Sequence, residues 1–214
     1  MMSLKNRDLV EFLSSTKHKG EHIIVCGLGK SILELDVEWL KSQITIGVND
    51  VNRLFTPNYL VLLDNANRFA SERWQYIKSN QTSIIFSQLH NEYLKCFKES
   101  NVVKINLSNT QGACLDENNL GISYTSPFVA VEIAYLLGAK HISLIGVDFT
   151  EDHFFAQTGK HALNSKLPKI LEHFRELKEL LNKEGVLLDV LTENSSLTQI
   201  LPITLNYQKI KINE

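Results

Sequence analysis

The chain has 214 residues, 43% hydrophobic and 21% charged, which is enough for one sizeable core and argues for a single domain over residues 1–214. A formal net charge of −2 excludes a global basic field that would draw nucleic acid or an anionic membrane. The three cysteines, Cys26, Cys96 and Cys114, form no CxxC pair, which argues against a disulfide framework or zinc cluster, and no apolar run approaches the roughly 20 residues of a membrane span. A cytoplasmic protein without a transmembrane segment or nucleic-acid partner is the expectation.

In chain order, residues 1–20 read as an N-terminal helical extension. Seven apolar runs follow as buried strands: 22–26, 44–48, 59–63, 83–86, 102–107, 141–147 and 186–191. Amphipathic segments at about 30–42, 67–79, 90–99, 126–138 and 166–184 alternate with them, the last reaching a C-cap at Gly185. This alternation predicts an α/β fold: a single Rossmann-like domain with a mostly parallel sheet and helices on both faces. The tail 203–214 alternates apolar and polar residues, leaving an edge strand or a homo-oligomer contact open.

Ligands in such folds gather beyond the carboxyl ends of the strands. The residues there are "GLGKS" after the first run, Asn49 and Asp50 after the second, Asp64 and Asn65 after the third, "DFTEDH" after the sixth and "TENSS" after the seventh. All are small and polar. Turn formation explains any one set; five together point to one site.

"GLGKS" completes neither phosphate motif that it suggests. Ile24 stands where a P-loop needs its first glycine, and Ile32 where a dinucleotide fingerprint needs its third. What remains is a short turn in which Gly27 and Gly29 permit close approach, with Ser31 and free N–H groups opening a helix that favours an anion. His153 and His161, on the loop after Asp148, carry the one side-chain chemistry that titrates near neutrality and suits a general base. His141 and His173 read as structural.

With "GLGKSILELD", "TIGVNDVNRLFTPNYLVLLDN" and "TSPFVAVEIAYLLGAKHISLIGVDFTEDH" assembled, the chain resembles a superfamily of Rossmann-like proteins. It contains the family 42 bacterial sialyltransferases, the flagellin-modifying glycosyltransferase-like proteins and the 6-hydroxymethylpterin diphosphokinase-like enzymes. The sialyltransferase-like reading implies metal-independent transfer of a sugar from a CMP-activated donor to a glycan or small-molecule acceptor, with no cofactor required. By that resemblance Gly27, Gly29 and Ser31 face the phosphate and pyrimidine, Asn49 and Asn65 the ribose and donor, and Thr125 and Ser126 the cytosine or donor sugar. Asp148 belongs to the same donor-facing set, and His153 or His161 supplies the base.

The chain departs from the family pattern at Leu28, Lys30, Thr150 and Gln157, where an Asn, a Pro, a Tyr and the base His are expected. The pterin-kinase-like alternative implies Mg²⁺-dependent pyrophosphoryl transfer, with Asp64 and Asp148 as the best metal pair. A noncatalytic protein that binds a nucleotide or nucleotide-sugar is the third reading.

Overall fold

The computed structural model describes residues 7–150, 152–159 and 163–205. Among the described residues there are ten strands: β1 (Arg7–Asp8), β2 (His22–Cys26), β3 (Ile44–Val48), β4 (Tyr59–Val61), β5 (Ile84–Ser87), β6 (Val102–Lys104), β7 (Leu107–Gln111), β8 (Leu120–Ile122), β9 (His141–Ile145) and β10 (Leu187–Val190). Six α-helices accompany them: α1 (Leu9–Ser15), α2 (Val37–Ser42), α3 (Ser71–Ser79), α4 (Asn91–Leu94), α5 (Ser126–Leu136) and α6 (Leu167–Lys183). Eight strands form one sheet in the order β1-β6-β5-β4-β3-β2-β9-β10, and every pair is parallel.

The apolar runs explain the burial. Ile23, Ile24, Val25 and Cys26 of β2 are all fully buried, and successive strand residues point to opposite faces, so both faces of the sheet are covered there. Helix α5, SPFVAVEIAYL, is apolar nearly all round and buried from Ser126 to Ala134. It lies against β2, β3, β4 and β9. Pro127 sits in its first turn, where a missing N–H costs nothing. By contrast α6 has one apolar stripe, Ile170, Phe174, Leu177 and Leu181, at helical spacing, and packs on β10. No helix among the described residues is long and apolar enough to cross a membrane.

From β2 the sheet grows outward through β3 to β6 on one side and through β9 and β10 on the other. Strand order therefore reverses between β2 and β9, which opens a crevice beyond their carboxyl ends.

Several elements depart from the sequence expectation. The segment 30–42 is a 3₁₀ turn, Lys30–Glu34, and a separate α2, because the Asp36 carboxylate accepts from the amides of Glu38 and Trp39 and starts a new helix. The expected helix over 67–79 begins at Ser71, and that over 90–99 shrinks to the four residues of α4. Residues 107–122 leave the main sheet as the small β7–β8 pair. Glu132 of α5, fully buried, holds that excursion by accepting from the amides of Cys114 (2.8 Å) and Gly121 (2.6 Å). At the N-terminus α1 is preceded by β1, which adds an outermost strand beside β6. In the tail, Ile203 bridges in parallel to Val190, so residues 202–204 run along the outer edge of β10, while residues 206–214 lie outside the described residues.

Candidate functional site

A cleft with a cavity volume of about 180 Å³ lies at the reversal of strand order. The turn after β2, Asn49 after β3, Asp64 after β4, the start of α5 and the loop after β9 all line it. Of the five polar sets expected there, four contribute. The fifth turns away: Thr192 and Asn194 donate to the carboxylate of Glu34, and the Ser195 hydroxyl donates to the Val147 carbonyl.

The glycine turn has a reason that its motif letters did not carry. A Cβ on Gly27 would lie 2.2 Å from the Gly146 carbonyl oxygen, and one on Gly29 would lie 2.2 Å from Asp148 Oδ2. The glycines let the chain leaving β2 lie against the chain leaving β9. Ser31, at 2% exposure, then joins the two. Its amide donates to Asp148 Oδ2 (2.9 Å), its hydroxyl donates to Asp148 Oδ1 (2.5 Å), and its oxygen accepts from the Gly146 amide (2.9 Å). The donors expected to meet a ligand phosphate thus meet an internal carboxylate, and the anion at this helix start is Asp148. Burial raises the Asp148 pKa; the two Ser31 hydrogen bonds oppose that rise and Glu34 adds to it.

Asn49 is unlike its neighbours. Its φ of 51° is left-handed, and its carboxamide Oδ1 is buried with no hydrogen-bond partner. Phe149, directly after Asp148, is also left-handed at 56°. Such backbones cost about 1–2 kcal/mol for a residue with a Cβ, and a buried acceptor without a donor about 1–3 kcal/mol. Both left-handed residues thus line the cleft, whereas the second unpartnered buried acceptor, Asn52 Oδ1, lies outside it. Sequence reading found Asn49 by position but had no signal for Phe149. Asn65 does not line the cleft: its side chain accepts from the Asn67 amide (3.0 Å) and caps its own turn, while the exposed Asp64 beside it does line the cleft.

The start of α5 presents Thr125, Ser126 and Pro127 to the cleft, and Thr125 makes no capping bond with its side chain. An 11-residue helix directed at a cavity places its positive dipole end there. Across from it the loop after β9 folds back on the glycine turn. The Phe154 amide donates to the Leu28 carbonyl (2.8 Å), His153 bridges to Gly29, and Lys30 pairs with Asp152 at 2.7 Å. His153 lines the cleft, and its Nδ1 lies 3.0 Å from the Thr158 hydroxyl. His161 lies outside the described residues. Asp64 and Asp148 reach the same cleft, but both oxygens of Asp148 serve Ser31, and no group of three or more His, Cys, Asp or Glu side chains among the described residues is placed to hold a metal ion.

No protein-family model and no curated protein matches the chain. Solved structures do. The sialyltransferase CstII from Campylobacter jejuni, in complex with the substrate analogue cytidine-5′-monophosphate, aligns over 91% of this chain and 89% of its own at 14% identity and a TM-score of 0.52. The monofunctional α-2,3-sialyltransferase Cst-I from Campylobacter jejuni aligns over 87% and 81% at 15% identity and 0.52. The MAf glycosyltransferase from Magnetospirillum magneticum AMB-1 aligns over 88% of this chain, but only 34% of its own, at 13% identity and 0.60. The chain has the sialyltransferase fold. At these identities the likeness is one of architecture, and within the sialyltransferase fold the side chains of this cleft must argue for their own chemistry.

Proposed function

We propose that this chain is a glycosyltransferase-like protein that accepts a nucleotide-activated sugar, with CMP as the nucleotide, and transfers the sugar to a hydroxyl of a glycan or small-molecule acceptor. The observation that carries the reading is a cleft at the reversal of strand order that the left-handed Asn49 lines and that also receives the start of α5. The Asn49 carboxamide and the Asp64 carboxylate on one wall and a helix dipole on another suit a ligand carrying both N–H or O–H groups and an anion. A CstII structure has also been solved with a trisaccharide acceptor and CMP.

In this reading the Asn49 carboxamide hydrogen-bonds the nucleoside or donor sugar. The phosphate sits at the Thr125–Ser126 start of α5, since Ser31 is committed to Asp148. Gly27 and Gly29 keep the cleft floor open to close approach, and Asp64 at the rim accepts from sugar hydroxyls. His153 removes the proton from the acceptor hydroxyl, whose oxygen bonds to the anomeric carbon. The anomeric carbon–oxygen bond breaks, and the electron pair leaves with the nucleotide phosphate. The helix dipole is the fixed positive end that the leaving phosphate meets.

A thermal-shift screen tests the reading, because a ligand that binds the native state raises apparent stability by mass action. CMP and CMP-sugars are expected to raise Tm equally in EDTA and in Mg²⁺. Stabilisation only by ATP with Mg²⁺ would move the assignment to pyrophosphoryl transfer. No response to any nucleotide would remove the assignment altogether.

A further inference from the structure

The loop that carries His153 is braced from outside the cleft. The rings of His153 and Phe155 lie parallel, with centroids 5.3 Å apart and planes 7° apart. The Arg53 guanidinium carbon stands 4.1 Å from the Phe155 centroid and 4.2 Å from that of Tyr76 on α3. Arg73 reaches the same Phe155 ring at 5.4 Å and Phe69 at 5.1 Å. Both guanidiniums are held by one carboxylate, Asp50, which is fully buried and directly follows Asn49. Arg53 Nε donates to Asp50 Oδ2 at 2.8 Å, and Arg73 donates through Nε at 3.0 Å and through Nη2 to Oδ1 at 2.5 Å.

This arrangement has a geometric consequence. Two arginines that share a buried carboxylate cannot move independently, and each sets its guanidinium carbon over the same phenyl ring. That ring is fixed in turn, and the imidazole stacked on it is fixed in plane. The Thr158 hydroxyl at Nδ1 then sets the rotation of the imidazole within that plane. A run of face contacts thus leads from Asp50 and α3 to the one histidine among the described residues that lines the cleft.

We infer that Phe155, held by the Asp50–Arg53–Arg73 ion cluster, is a positioning residue that orients the His153 imidazole toward the acceptor hydroxyl. The inference rests on the proposed base role of His153. Phe155 itself touches no reacting atom. Its contribution is to the fraction of time that the base is in line, and so to turnover rather than to donor binding.

The test compares Phe155→Leu with Phe155→Tyr, using CMP-sugar turnover and the NMR signal of the His153 ring carbon protons, assigned by their loss in His153→Gln. Phe155→Leu is expected to lower kcat about tenfold, a modest share of what a positioned base contributes, with the donor KM unchanged. It should also shift the His153 ring signals, because the neighbouring ring current is gone. Phe155→Tyr keeps the stack and should restore both. A raised KM at unchanged kcat, a loss that Phe155→Tyr does not restore, or His153 signals unmoved in Phe155→Leu would overturn the inference. If His153→Gln is inactive while Phe155→Leu is fully active, positioning fails alone. If His153→Gln turns over normally, the base assignment itself fails.

Discussion

At the start of β2 and β9, His22 stacks on His141 with ring centroids 4.0 Å apart, and every polar neighbour is paired. His22 Nε2 meets the Ser143 hydroxyl at 2.8 Å, His141 Nε2 meets Asp189 Oδ2 at 2.8 Å, and Ser143 and Thr204 both donate to the fully buried Asp189. At the carboxyl end of the sheet, some 15 Å away by the ordinary rise of a five-residue strand, roughly, Asn49 and Phe149 are left-handed and the Asn49 oxygen has no partner. Both regions are rich in polar side chains. The paired one ties the starts of three strands together, and the other, left-handed at two positions of the cleft wall, is where the proposed ligand sits.

The largest effect that would break this contrast is at the paired end. Asp189→Ala removes a buried carboxylate that serves His141, Ser143 and Thr204, and is expected to cost about 3 kcal/mol in urea unfolding while leaving nucleotide affinity of the folded protein unchanged. Loss of CMP binding at full folding would show that the two ends are coupled.

Ser31→Ala comes next, at about 1–3 kcal/mol of stability, because it strips one donor from buried Asp148 and leaves the Gly146 amide without its acceptor. If the variant keeps its stability and loses only CMP affinity, Ser31 is a ligand contact after all.

At the unpaired end the pattern reverses. Asn49→Gly keeps a backbone suited to positive φ and removes the orphaned acceptor, so stability should hold or rise slightly. CMP affinity measured by calorimetry should fall about tenfold, the loss of one hydrogen bond of about 1.4 kcal/mol. A destabilised variant with intact binding would make Asn49 structural.

The last effect is a dependence on pH. Burial, and then the His141 charge, lower the His22 pKa to about 4 from its ordinary 6.5, with Asp189 opposing. Between those values the unfolded chain binds more protons, so the His22 contribution to stability rises with pH from about 4 to 6.5. Glu132 acts in the other direction. Burial raises its pKa to about 8 from 4.5 against two backbone hydrogen bonds, so the folded chain holds the extra proton and this contribution falls as pH rises through that window. The two slopes oppose each other between 4.5 and 6.5, so in Tm measured against pH His22→Gln should turn a level stretch into a fall and leave the decline toward pH 8.

Legibility in the sequence followed the same division. The central strands were readable because β2, β3 and β9 are buried on both faces, which leaves a continuous run rather than a pattern needing context, whereas β1, β7 and β8 carry no such run. Helix lengths were not, since Asp36 as a side-chain cap and the four-residue α4 are local competitions that periodicity does not resolve. Asn49, Asp64, Thr125, Ser126, Asp148 and His153 were placed at the cleft by their position after a strand or before a helix, and all line it. Asn65 missed it by one residue, because its carboxamide found a nearer donor in the Asn67 amide.

The sequence by itself determined the layered α/β architecture and the edge of the sheet where polar residues gather, because burial on both faces and turn chemistry are written in short local runs. Only the tertiary structure decided what those residues do there. It set Ser31 against Asp148, 117 positions apart, and turned a phosphate-like motif into an internal bond. It left the Asn49 Oδ1 without a donor, and it brought Arg53, Arg73 and Phe155 together behind His153. Hydrogen bonds and ion pairs are satisfied by whichever group the fold brings within about 3 Å, and that distance is a property of the packed chain rather than of any stretch of it.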